Sequence, residues 1–121
     1  MFEKPSDHAV HLVMSYEKYR GRNPINVSKS RRYGIDVVSD GRMIEVKSVA
    51  KSKPSFVVLN SYNIKALELA PDNYFWLYVV HDANDPKIIE LSKEDILVHR
   101  RPETSWIIPI HSSDRKLDRV I

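Results

Sequence analysis

The spacing of apolar residues changes several times along the 121 positions, and each change marks an element. Val10, Val13 and Met14 recur at helical spacing, with Glu17 on the same stripe. Ser6 or Asp7 can cap that helix, which is expected to run to about Arg20, with Gly21 after its end and Pro24 blocking continuation. Ile25 to Ser28 reads as a short strand. Ile35 to Ser39 and Arg42 to Val49 then flank Asp40-Gly41, a preferred pair for a two-residue hairpin turn. Phe56 to Leu59 is a strand or extended segment. Asn60 or Ser61 caps a second helix reaching about Ala70, with Ile64, Leu67 and Leu69 as its packing face and Pro71 as its stop. Tyr74 to Val80 is a nearly unbroken apolar run, the pattern of a strand buried on both faces. Lys87 to Leu91 is a further strand, and Ser92 to Asp95 opens a helical turn. Trp106 to Ile110 ends the sheet at an edge, as Pro109 suggests. A polar tail follows from His111. The order is α-β-β-β-α-β with appended strands, an α/β class.

The hairpin carries the chemistry. Counting outward from Asp40-Gly41 pairs Ser39 with Arg42, Val38 with Met43, Val37 with Ile44 and Asp36 with Glu45. Alternation then puts Asp36, Val38, Met43, Glu45 and Lys47 on one face, and Ile35, Val37, Ile44 and Val46 on a wholly aliphatic other. Two carboxylates directly opposite each other cost a few tenths to about 1 kcal/mol, and crowding raises the pKa of one. A divalent cation removes that repulsion: Mg²⁺ takes one or two protein carboxylates, keeps several waters and accepts phosphate oxygens. Lys47 would lie beside such a water or phosphate. The plainer reading is a solvated face on which Glu45 and Lys47 merely neighbour each other.

Bulk properties narrow the field. The length suits one domain, with a core over about 6–91, appended strands over 92–110 and a tail over 111–121. No stretch approaches the roughly 20 apolar residues of a membrane span, and the first residues lack a signal peptide's apolar region. The absence of cysteine rules out disulfides and thiolate metal sites and suits a cytoplasmic location. His8 and His11 share a helix face, but no third ligand of matching spacing makes them a zinc site. The net charge is only +3, yet residues 18–53 hold ten Lys or Arg against Asp36, Asp40 and Glu45, while the rest holds nine against thirteen. The basic segment is therefore the one with the acidic pair. Lys29, Arg31, Arg32, Arg42, Lys51 and Lys53 become candidates for phosphate contact, with DNA as partner.

Asp36 followed by Glu45-Val46-Lys47 resembles the PD-(D/E)xK nuclease signature, with Gly34-Ile35-Asp36 where Pro-Asp would stand. The run from Tyr16-Glu17 through Gly21-Arg22, Val27-Ser28, Gly34 to Ser39 and Ile44 to Ser48 is similar to the NO VEIN C-terminal-like domain, over about residues 8 to 91. Archaeal Holliday-junction resolvases, with a comparable Asp and Ile-Glu-Val-Lys block, are the nearest competing relatives. The resemblance implies a restriction-endonuclease-like αβββαβ core, a mixed sheet flanked by helices, and a metal-dependent deoxyribonuclease of repair, recombination or defence. It implies Mg²⁺ or Mn²⁺ on Asp36, Glu45 and the Val46 carbonyl, with Lys47 catalytic. It also implies that Glu17 joins the metal site, against the plainer reading of a Glu paired with Arg20 or Arg22. Where the family pattern often has a Glu, this chain has Asn63, a departure that counts against a catalytic part for that helix. Resolvases act as dimers, so a homodimer stays open. Two other classes are a non-cleaving nucleic-acid-binding module and a protein-interaction subunit.

Overall fold

Ala9, Val10, Val13, Tyr16 and Glu17 form the buried stripe of α1 (Pro5–Tyr19), and Gly21 turns the chain away at φ +83°. The structure, a computed structural model, describes residues 5–30, 33–101, 106–110 and the backbone of 117–119. β1 (Pro24–Asn26), β2 (Val37–Ser39) and β3 (Arg42–Val49) form an antiparallel meander. β4 (Phe56–Leu59) and α2 (Ser61–Leu69) then cross over to β5 (Phe75–His81), which lies parallel to β3. β6 (Lys87–Ser92), α3 (Lys93–His99), β7 (Trp106–Pro109) and β8 (Leu117–Arg119) complete the described elements. The main sheet is mixed, in the order β1-β2-β3-β5-β6-β8, and β4 pairs with β7 in a second sheet. α1, β1 to β3, α2 and β5 follow the expected αβββαβ order, with β4 inserted before α2.

Both faces of the main sheet are covered. Against α1 lie Val37, Ile44, Val46, Tyr78, Val80 and Ile88. The other face packs Ile35, Phe75, Leu77, Val79, Ile89 and Leu91 under α2 and the β4-β7 pair, which contribute Leu67, Leu59 and Ile108. β5 is central to both cores, and all its residues except Trp76 are buried, as its apolar run predicts.

Four expectations need correction. Ile35 belongs to the α2 side rather than to the aliphatic set with Val37, for a reason given below. Leu69 is 75% exposed: it lies only two residues beyond the buried Leu67, so the two cannot share a helix face, and Ala66 takes its place. The strand around Trp106 does not close the main sheet but pairs with β4, Phe56 opposite Pro109. Finally, residues 117–119 of the expected tail form β8 beside β6.

Candidate active site

The turn forms as the sequence predicts. Asp40 and Gly41 both have positive φ, +42° and +86°, as a type I′ turn requires, and Ser39↔Arg42, Val38↔Met43 and Val37↔Ile44 are the observed pairs. The ladder then steps. The Asp36 N–H donates to the Ile44 carbonyl at 2.8 Å, so Asp36 and Val37 both oppose Ile44 and β2 begins at a bulge. One extra residue resets the alternation, which carries Ile35 to the α2 face. The Asp36 carboxylate meanwhile accepts the Val46 N–H at 2.9 Å. N–H and C=O of an extended residue project toward the same neighbour, so the Val46 carbonyl also turns toward Asp36.

Asp36 and Glu45 line one cavity of about 340 Å³. Lys47 extends along the same face, its Nζ 3.0 Å from Glu45 Oε2. Glu45 is buried, and burial together with the Asp36 charge pushes its carboxyl up to about 8, against the opposing pull of Lys47. With both carboxylates ionised, the cavity floor has more negative charge than one ammonium offsets, which, added to burial, is why Glu45 holds its proton. Its donors are hard oxygens, the type that Mg²⁺ and Mn²⁺ prefer. Two carboxylates with a backbone carbonyl turned the same way fit such an ion. Among the described residues, no group of three or more His, Asp and Glu side chains is gathered for a metal.

The approach of α2 fixes this cavity. Gly34 sits at φ +64°, and a Cβ there would lie 2.2 Å from the Tyr62 carbonyl oxygen. Only glycine lets the strand entering Asp36 pass so close to the helix. The buried Asn63 amide donates to the Gly34 carbonyl at 2.9 Å, and Asn60 and Asn63 cap α2 reciprocally. Asn63, expected to have no catalytic part, thus ties the helix to the loop that carries Asp36. Ser28, Ser30, Asn60 and Tyr62 complete the wall. None of these has a periodicity signal; only the Gly34 positive φ and the Asx cap could have been anticipated.

Two expected site residues lie elsewhere. The fully buried Glu17 receives both Arg22 guanidinium bonds, at 2.5 and 2.8 Å, and the Tyr78 hydroxyl at 2.9 Å. Burial alone would raise its pKa, but the hydrogen bonds from Arg22 and Tyr78 and the Arg22 charge outweigh that and hold the carboxyl below its ordinary value. It sits under α1, across the sheet from Glu45. Arg42 is committed on that face too: it donates to Glu90 and Tyr78, both at 2.7 Å, and its guanidinium lies 3.9 Å over the Trp76 ring. Alternation from the turn places Arg42 with Ile44 and Val46, so this outcome was implicit in the hairpin count. Lys29 is exposed in the turn between Ser28 and Ser30, and Lys51 and Lys53 are exposed in the loop after β3. Arg31 and Arg32 lie outside the described residues.

The family model for the C-terminal region of the protein NO VEIN matches residues 6–108. No curated protein matches the chain.

Proposed function

The chain belongs to the NO VEIN C-terminal family, and from its paired carboxylates we propose that it is a Mg²⁺-dependent phosphodiesterase acting on DNA. The observation that carries this reading is the meeting of Asp36 and Glu45 in one cavity with Lys47 against Glu45. Asp36, Glu45 and the Val46 carbonyl would hold the ion, which supplies positive charge to a phosphate oxygen and acidifies a bound water. Lys47 would position the attacking water and share the charge that develops on phosphorus. Lys29, Lys51 and Lys53 would hold the backbone on either side. Glu17 and Arg42 have no part, since each is tied to its own partner across the sheet.

Supercoiled, linear and branched DNA incubated with Mg²⁺ or Mn²⁺ provides the test. Asp36→Ala, Glu45→Ala and Lys47→Ala should each lose at least about a hundredfold in cleavage rate. Wild-type cleavage matched by all three variants would end the assignment.

A non-cleaving DNA-binding module is the second reading. It is favoured by the pairing of Glu17 with Arg22, which leaves two carboxylates at the cavity among the described residues. Salt-dependent DNA binding that persists without divalent ions and yields no products would select it.

A further inference from the structure

We propose that the groove between Tyr33 and Tyr62 is a track for an unpaired DNA strand, with successive bases stacking on the two tyrosine rings as the backbone enters the carboxylate cavity. The proposal rests on the phosphodiesterase reading for what happens at the end of the track, though not for the binding itself. Tyr33 and Tyr62 are 54% and 64% exposed, so neither ring is accounted for by core packing. Both line a second cavity of about 410 Å³, with Lys65 on one side and the exposed Leu69 at its edge. Tyr62 also lines the cavity that contains Asp36 and Glu45. Tyr62 therefore borders both the acidic floor and an apolar groove with a lysine beside it.

The chemistry of that sequence of surfaces selects the occupant. An aromatic ring stacks on any base but can do so only when the base has left a duplex, and exposed rings alternating with lysines are the recognition surface of single strands. A duplex would offer this groove its phosphates alone, and among the described residues lining it Lys65 is the only charged one. Among the described residues that line the carboxylate cavity the charged side chains are Asp36 and Glu45, so a phosphate entering it is helped by a divalent ion beside Lys47. The apolar groove next door has the opposite character and receives the base. At about 340 Å³ the acidic cavity falls within the range of small-ligand sites, roughly 300–1,000 Å³, and suits a nucleotide unit rather than a helix.

Binding is measured with Ca²⁺ in place of Mg²⁺, using an oligothymidylate of roughly ten nucleotides with one 2-aminopurine, and its duplex form as competitor. The single strand should bind on the order of tenfold more tightly than the duplex, with 2-aminopurine emission quenched on binding. Tyr62→Ala should weaken binding by on the order of tenfold and abolish the quench, whereas Tyr62→Phe, which keeps the ring, should preserve both. Tyr33→Ala provides the same test at the other ring, should Tyr62→Ala fail to fold. Duplex binding as tight as single-strand binding, or an alanine variant that binds like wild type, overturns the track. Tight, quenched binding by a protein that cuts nothing in Mg²⁺ upholds the track and sinks the phosphodiesterase reading. Cleavage that is indifferent to both tyrosines sinks the track alone.

Discussion

One sheet has two clusters of buried charge, one on each face, and they are built on opposite terms. Under α1, Glu17 and Glu90 face Arg22 and Arg42. Tyr78 donates to Glu17 while accepting from Arg42, and Tyr16 donates to Glu90. Every carboxylate oxygen in that set has a donor, and charges of the two signs are equal in number. On the α2 face, Asp36 accepts the Val46 N–H, the Lys47 ammonium lies against Glu45, and Glu45 is driven toward its protonated form. Burial is similar in both places; the balance of counter-charge is not. A buried acid is therefore weak evidence for a site, and an acid left short of positive charge is stronger evidence.

The largest test of that contrast exchanges each acid for its amide. Glu17→Gln leaves the Arg22 guanidinium facing a neutral group, and loss of one partner from a buried pair costs about 3–5 kcal/mol. Glu45→Gln removes a repulsion with Asp36 and should leave stability unchanged or slightly raised. Urea unfolding of the two variants beside wild type measures both. Equal destabilisation would mean that the clusters do the same job.

A smaller effect is expected at Gly34, where the α2 face depends on backbone rather than on charge. Gly34→Ala must either leave φ +64° or push its Cβ away from the Tyr62 carbonyl. The expected cost is on the order of 2–3 kcal/mol. Because Asp36 follows two residues later, cleavage should fall with stability. A variant as stable and active as wild type would show that the α2 contact does not position the carboxylate.

Much of this was legible in the sequence, and the limits have physical causes. The hairpin turn and three pairs followed from Asp40-Gly41, since a two-residue loop permits one register. The long apolar run of β5 announced a strand with a core on each side. The bulge at Asp36 was hidden, because no residue type there demands one, and it moved Ile35 across the sheet while leaving the acids together. Glu17 illustrates the other limit. Its place on the buried stripe showed that it needed a partner, and Arg20 or Arg22 was the plainer choice. Both lie beyond the helix end, where helical spacing does not choose between them or against the metal site. Tyr62 and Asn63 reach the cavity through the crossover to α2, a long-range contact that local pattern does not encode.

Counted per unit of pH, the smallest expected effect is that of protonation, where the two faces should respond with opposite sign. Glu17 titrates below its ordinary value in the folded protein, so its contribution is present at neutral pH and is lost on acidification. Glu45 titrates at about 8, far above its unfolded value. Between the two values the folded state keeps a proton that the unfolded chain has released, so in metal-free protein this group lowers stability as pH rises, until the loss levels off above about 8. A divalent ion reverses the sign, because its binding requires the ionised carboxylate and expels the proton. Mg²⁺ affinity should therefore rise about tenfold per pH unit, about 1.4 kcal/mol, up to about pH 8 and flatten beyond it. The gain in thermal midpoint on adding Mg²⁺, followed from about pH 6 to about pH 9, reads this directly. Glu45→Gln should erase the pH dependence of that gain, while Glu17→Gln should keep it at a lower overall midpoint. A Mg²⁺ effect that is flat with pH in wild type would place the ion, if one binds, on groups other than Glu45.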